Sequence, residues 1–361
     1  MGSLNARGPA LRAAFGLALF VAITGLAACG DGASLAPADG GLDSSLPEGG
    51  GAIPGDGDAT SPDGAAGLGR WDALPPMPDP PRFYVGVAAL GDRVVVIGGF
   101  MAPQATVAQA FDTKTKTWQT LEPLPTPFSM ANVAVVGDRL FVLGGLETQS
   151  VLEYDSQGHW VARAPMPLAK GRGSAFVGVW GTKVVIAGGV IPGQSNNNLN
   201  TGFRMPEVAA YDTTTDTWEM LAPMTEARGY GMGVVVGDVF WVIGGSTNDA
   251  RTAAVQTFDL TSGKWNDNPP LDQSLSSAAV ALLGNSIYLI GGIASSSGIV
   301  SPSTLVYSRS DGTLTGLATM PNPRFGSGAA AVGGTIYVAG GIVMGSATDF
   351  HPVTTFDSFT P

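Results

Sequence analysis

Positive charge is scarce in this chain. Its 18 lysines and arginines face 29 aspartates and glutamates, for a formal charge of −11, and no basic run occurs anywhere. That excludes nucleic-acid binding through phosphate neutralisation, which needs clustered cations. Histidine is limited to His159 and His351 and cysteine to Cys29, and no His/Cys/Asp cluster has the spacing of a metal site. No Ser/His/Asp set and no phosphate-cradling loop between strand and helix stands out, so neither a cofactor nor an enzymatic activity is expected. Charged residues make up only 13% of the chain, whereas glycine (52) and proline (26) are abundant. Such a composition suits a turn-rich, all-β protein.

Long apolar runs are also missing, with one exception. Residues 13–28 carry no charge, follow Arg7 and Arg12, and end in small side chains. A spanning helix needs about 20 apolar residues, so this shorter run reads as an export signal. Leu26-Ala27-Ala28-Cys29 resembles the bacterial lipobox. The resemblance implies a lipoprotein signal peptide over 1–28, acylation of Cys29 and a membrane anchor through that lipid. Gly30 in the next position implies the outer membrane, on its periplasmic side or at the cell surface. Residues 29–69 form a Gly/Asp/Pro/Ala tether with seven acidic residues, no basic ones and no aromatics. It cannot bury enough apolar surface to order itself. "DGDATSPDG" at 56–64 is not a calcium loop, because its twelfth position holds Gly67 where a bidentate Glu is required.

Beyond residue 69 the chain repeats. Gly-Gly pairs fall at 98–99, 144–145, 188–189, 244–245, 291–292 and 340–341, each ending an apolar run such as "RVVVIGG" or "SIYLIGG". These runs are rich in β-branched and aromatic residues, as buried strands are. After a variable loop comes an aromatic and a polar residue: Phe111-Asp112, Tyr154-Asp155, Tyr211-Asp212, Phe258-Asp259, Tyr307-Ser308 and Phe356-Asp357. Trp118, Trp160, Trp218 and Trp265 follow, with Leu314 in the fifth unit. This period and content resemble the kelch repeat, which implies one four-stranded propeller blade per unit. The sixth unit stops without its fourth strand, and the array begins at Trp71 with only a fourth strand. The expectation is therefore an all-β, six-bladed kelch-type propeller over 70–361. One blade is shared by both chain ends, with residues 70–74 pairing beside 354–357, and the ring is a monomer.

Alternating strand direction puts the loops between second and third strands on the same face as the links between blades. Sixteen residues before each glycine pair stand Arg82, Phe128, Arg172, Arg228, Leu275 and Arg324. Four arginines at one position, in a chain poor in them, are candidates to ring the channel mouth and bind carboxylates; equally, they suit hydrogen bonding to loop carbonyls of the neighbouring blade. The long loop at 190–208 adds Asn197, Phe203 and Arg204 as candidate ligand contacts. The resulting reading is an envelope-tethered binding module for a protein or glycan. Galactose-oxidase relatives share the architecture, but their two histidines and cross-linked cysteine have no counterpart here. Sialidase Asp boxes are missing, "SRSDGTL" at Ser308 having the wrong spacing. Sialic-acid mutarotases of the bacterial periplasm are similar as exported six-bladed kelch proteins. They supply the alternative reading, with Arg204 and Glu207 as the nearest acid–base pair.

Overall fold

The computed structural model describes residues 68–361 except 101–103, 193–201, 295–298 and 347–348. Cys29, the tether through residue 67 and Asn197 lie outside the described residues. Six four-stranded antiparallel sheets stand around one axis. The innermost strands are Gly86–Leu90, Asn132–Val136, Phe176–Trp180, Met232–Val236, Ala279–Leu283 and Gly328–Val332. They touch in chain order, and the last touches the first, so the ring is closed. The blades are numbered 1 to 6 in that order.

The core is divided among the seams. Six apolar clusters each join two neighbouring blades, and a seventh lies under the loop face. The second strand of each blade explains why its sequence is apolar without alternation. In Arg93–Ile97, Val94 and Val96 pack against blade 6, while Val95 and Ile97 pack against blade 2. A strand buried on both faces has no solvent side to mark with polar residues.

Blade 6 takes its fourth strand, Arg70–Ala73, from the N-terminal side of the array and pairs it with Phe356–Thr360. The register differs from the sequence expectation by three residues. Trp71 lies opposite Phe359 and Ala73 opposite Asp357, so the inner partner is 357–360 rather than 354–357. Phe359, not Phe356, is thus the equivalent of Phe111: it faces Ile336 of the second strand, as Phe111 faces Val94. Phe356 instead packs 4.8 Å from both Phe111 and Trp118 across the seam with blade 1.

The outer-strand tryptophans fasten the seams. Each stacks on its own blade's aromatic and donates its indole N–H to the preceding blade: Trp118 to Pro75 O, Trp160 to Glu122 O, Trp218 to Ala164 O, Trp265 to Ala222 O and Trp71 to Ala318 O, all at 2.8–2.9 Å. Blade 5, with Leu314 here, has no such donor. At that seam Trp241 of blade 4 fills the space against Tyr307, ring centroids 5.7 Å apart.

Candidate functional site

The four arginines do not ring the channel mouth. Arg82, Arg172, Arg228 and Arg324 are each at most 1% exposed, and their guanidinium groups turn into the blades. Arg228 donates to Gly244 O at 3.1 Å, Ala254 O at 3.0 Å and Gln256 Oε1 at 2.6 Å. Arg82 makes the same set with Gly98 O, Val107 O and Gln109. Arg324 donates to Gly340 O and pairs with Asp357, and Arg172 pairs with Glu207 at 3.2 Å. Each side chain bonds mainly within its own blade. The link to the neighbour is made by the main chain: Gly341, Gly189 and Gly292 of the preceding blades donate to the carbonyls of Arg82, Arg228 and Arg324. Burial pushes the Arg82 and Arg228 guanidinium groups down to about 10. Phe128, at the same position in blade 2, is fully buried in the seam between blades 1 and 2.

The axis is lined two residues further along. Tyr84, Met130, Ser174, Tyr230, Ser277 and Gly326 all have positive φ, between 45° and 63°. That conformation is costly for the five side chains other than glycine and is held here by the ring itself. Tyr84 N–H donates to Gly326 O, Gly326 to Ser277 O, Ser277 to Tyr230 O, Tyr230 to Ser174 O, and Ser174 to Met130 O. The chain of bonds breaks once, where Met130 N–H turns to Gly99 O. Reading the repeat alignment two residues on would have found these positions. What it would not have revealed is their conformation, because tyrosine, methionine and serine do not signal a left-handed backbone.

Tyr84 and Tyr230 belong to opposite sides of the six-membered ring, yet their ring centroids are 5.4 Å apart. They meet across the axis beneath the loop face. Cavities of about 150 and 480 Å³ run along the axis, and the larger is walled by Val, Ala, Leu and Gly with Ser327 the one polar side chain. Among the described residues the larger cavity has no titratable group in its wall, whereas Tyr84 and Tyr230 line the smaller one. The chemistry gathers at the tyrosine pair instead.

Two loops converge there from blades 3 and 4. The hairpin of Val190–Ile191 with Phe203–Arg204 rises from blade 3. Arg204 lies with Cζ 5.5 Å from the Tyr230 centroid and donates Nε and Nη2 to Ser246 Oγ of blade 4, at 3.2 and 3.1 Å. Its Nη1 donates to Gly202 O, and its main-chain N–H donates to Asn248 Oδ1. Among the described residues Arg204 forms no ion pair with a carboxylate. Tyr84 Oη sits 3.3 Å from Ser277 Oγ, within electrostatic reach of both Arg204 and Arg251. Burial raises both phenols above their ordinary range and lowers the Arg251 guanidinium. Both tyrosines therefore stay protonated at neutral pH, as hydrogen-bond donors beside two cations. Phe203 is 50% exposed on the same hairpin.

Of the residues singled out in the sequence, Arg204 thus reaches the axis and Phe203 stands exposed next to it on the hairpin, whereas the four arginines and Phe128 are buried in the blades and seams. Glu207 is held by Arg172, so the Arg204–Glu207 pair is not assembled. Tyr84, Tyr230, Ser246, Arg251 and Ser277 were not anticipated. Among the described residues there is no group of three or more His, Cys, Asp or Glu side chains able to hold a metal ion.

Residues 87–292, more than half of the chain, match the family described as the KLHDC2/KLHL20/DRC7 Kelch-repeats domain. Kelch-like protein terF of Aspergillus terreus is 26% identical over 318 residues, 81% of this chain and 69% of its own. Beta-scruin of Limulus polyphemus is 26% identical over 190 residues, covering 48% of this chain but only 20% of its own length. The solved structure of YjhT shares the fold, with a TM-score of 0.65 at 18% identity over 78% of this chain and 95% of that one.

Proposed function

Because the chain belongs to the kelch-repeat family, we propose that it is a recognition module that takes a protein or glycan ligand on the loop face, at the Tyr84–Tyr230 pair. The observation that carries this reading is the convergence of loops from separate blades on the axis. Arg204 of blade 3 reaches across to Ser246 and stacks on Tyr230. Phenols and a guanidinium grouped on one rigid scaffold are what a polar ligand needs. Binding rather than turnover is the reading because the carboxylate nearest in sequence to Arg204 is engaged by Arg172.

A glycan array probed with the full chain tests it. Saturable binding that is lost in Tyr230→Ala and Arg204→Gln supports the loop face. Binding kept in both variants moves the site elsewhere. A chain that binds no glycan leaves the protein ligand, to be sought by cross-linking from a photoreactive residue at Phe203.

Tethering to the bacterial outer membrane through Cys29 belongs to the same proposal, supported by the position of the lone cysteine after an uncharged run. Labelled palmitate is expected to enter the wild type and not Cys29→Ala; an unlabelled wild type would remove the anchor.

A further inference from the structure

We propose that the axial channel is a second binding site, apart from the loop face: a blind pit entered from the face opposite the loops. It takes a slender, uncharged molecule that both donates and accepts hydrogen bonds, of which a linear polyol is the simplest. The pit stands whether or not the loop face binds a ligand.

Its wall is main chain. Consecutive residues of the inner strands line the larger cavity, among them 133–135, 278–282 and 327–331. Side chains alternate between the two faces of a strand, so only a strand seen edge-on lines a cavity with every residue. The register agrees. Leu90 opposite Arg93 closes a two-residue turn, and the hydrogen-bonded pairs then recur at Ala88–Val95 and Gly86–Ile97. Val87 and Ala89 therefore turn their N–H and C=O groups toward the axis. The same register holds in the other five blades, and every inner strand is the edge of its sheet. Six rows of peptide groups without a strand partner face one space, and such groups demand partners.

One side chain makes the same demand. Ser327 lines both cavities and is 8% exposed, and its Oγ has no hydrogen-bond partner among the described residues. A buried hydroxyl left unpaired is costly, and a ligand in the pit supplies the missing bond.

The two ends differ. Toward the loops the channel is stopped by Tyr84 against Tyr230, under a cluster that includes Phe83, Phe100, Met130 and Phe325. At the other end the turns after the inner strands begin with Gly91, Gly137, Gly181, Gly237, Gly284 and Gly333, all at positive φ. A Cβ at any of them meets nothing within 4 Å, so among the described residues this mouth is unobstructed at the turns.

The lining selects the ligand. The larger cavity has no charged side chain, so an ion would enter it without a counter-charge. An alkyl chain would strip water from the peptide edges without replacing its bonds. Strands of five residues run about 17 Å, so a volume of about 480 Å³ is a column rather than a chamber. Hydroxyls along a linear chain meet donors and acceptors on every side of such a column.

NMR titration of the full chain tests this with xylitol, glycerol, xenon and inorganic phosphate. Xylitol is expected to shift the amide signals of Val87, Val133, Val177 and Val280 saturably, and to bind more tightly than glycerol because it spans more of the column. Xenon and phosphate should leave those signals unmoved. Ser327→Val removes the hydroxyl at nearly constant shape and should weaken xylitol about fivefold, the worth of one hydrogen bond. Ser327→Thr keeps the hydroxyl and should bind as the wild type does.

Xylitol shifts confined to loop-face residues, or equal affinity in the two Ser327 variants, would overturn the site. Saturable xenon shifts without xylitol shifts would overturn its polar character. Silence toward every probe would mean a channel that holds water only. If Ser327→Val unfolds, seen as loss of dispersed signals, competition in the wild type decides: glycerol must displace xylitol at the same amides, or the site falls. The glycan array reads the loop face separately, so either site can fail alone.

Discussion

Replacing Trp71 with alanine is expected to lower the unfolding free energy by about 3 kcal/mol, the low end of the range for a large aromatic removed from a core. The residue stands on the strand that completes blade 6, and three interactions go with it. Its ring packs on Phe359 at 5.2 Å, its indole N–H bonds Ala318 O of blade 5 at 2.9 Å, and its apolar surface joins the cluster between those blades. Trp71→Phe keeps the ring contact and loses the hydrogen bond, so about 1 kcal/mol is expected for it. Urea unfolding of the full chain measures both. The effect exceeds that of an ordinary edge residue because the strand joins the two ends of the array. Without it, blade 6 exposes a sheet edge and blade 5 loses the donor on its outer rim. A loss below about 1 kcal/mol for the alanine variant, the scale of an ordinary surface change, would mean that residues 70–73 add little to closure.

Arg228→Met should destabilise by about 2 kcal/mol while leaving the loop face intact. Two effects oppose each other. Burying a guanidinium is costly, and its lowering to about 10 reports that cost, so an apolar side chain of similar length recovers part of it. Against this, Gly244 O and Gln256 Oε1 lose their donor inside the blade, while Ala254 O keeps the main-chain N–H of Gly244. Each unsatisfied buried acceptor costs about 1–3 kcal/mol, so the two together outweigh the recovered desolvation. Arg204→Gln should behave in the opposite way, with little change in stability and loss of ligand binding, because Arg204 lies on a hairpin outside the blade sheets. Measuring unfolding and binding on both variants separates the two kinds of arginine. Equal stability of Arg228→Met and wild type would show that the apolar substitution satisfies the blade.

Much of the fold was legible before any coordinates. Six glycine pairs after apolar runs, and tryptophans at a steady offset, are local signals that recur in register. The unpaired quarter at Trp71 pointed to closure because a propeller leaves no blade incomplete. The register of that closure was misplaced by three residues. "FDSFT" holds two phenylalanines in one strand, and nothing local distinguishes Phe356 from Phe359. Cross-strand packing decided it, with Phe359 buried between Ile336 and Trp71 and Phe356 turned to the blade 1 seam.

The candidate site was harder to foresee. Arginine stood out in the alignment because it is rare, and the sequence left two readings of it open, a carboxylate-binding ring and bonding to carbonyls of the neighbouring blade. At Arg82 and Arg228 its recurrence has a packing origin: one guanidinium bonds carbonyls at the ends of two strands in the same blade. The positions that do face the axis carry tyrosine, methionine, serine and glycine, with no shared chemistry to notice.

The chain alone therefore determined the number of blades, the strand that closes them and which loops share a face, because β-propensity, glycine turns and strand alternation act over a few residues at a time. Only the tertiary structure decided which side chains reach the axis. That choice depends on a left-handed backbone turn imposed by bonds between blades, and on Tyr84 meeting Tyr230, which happens only once the ring is complete.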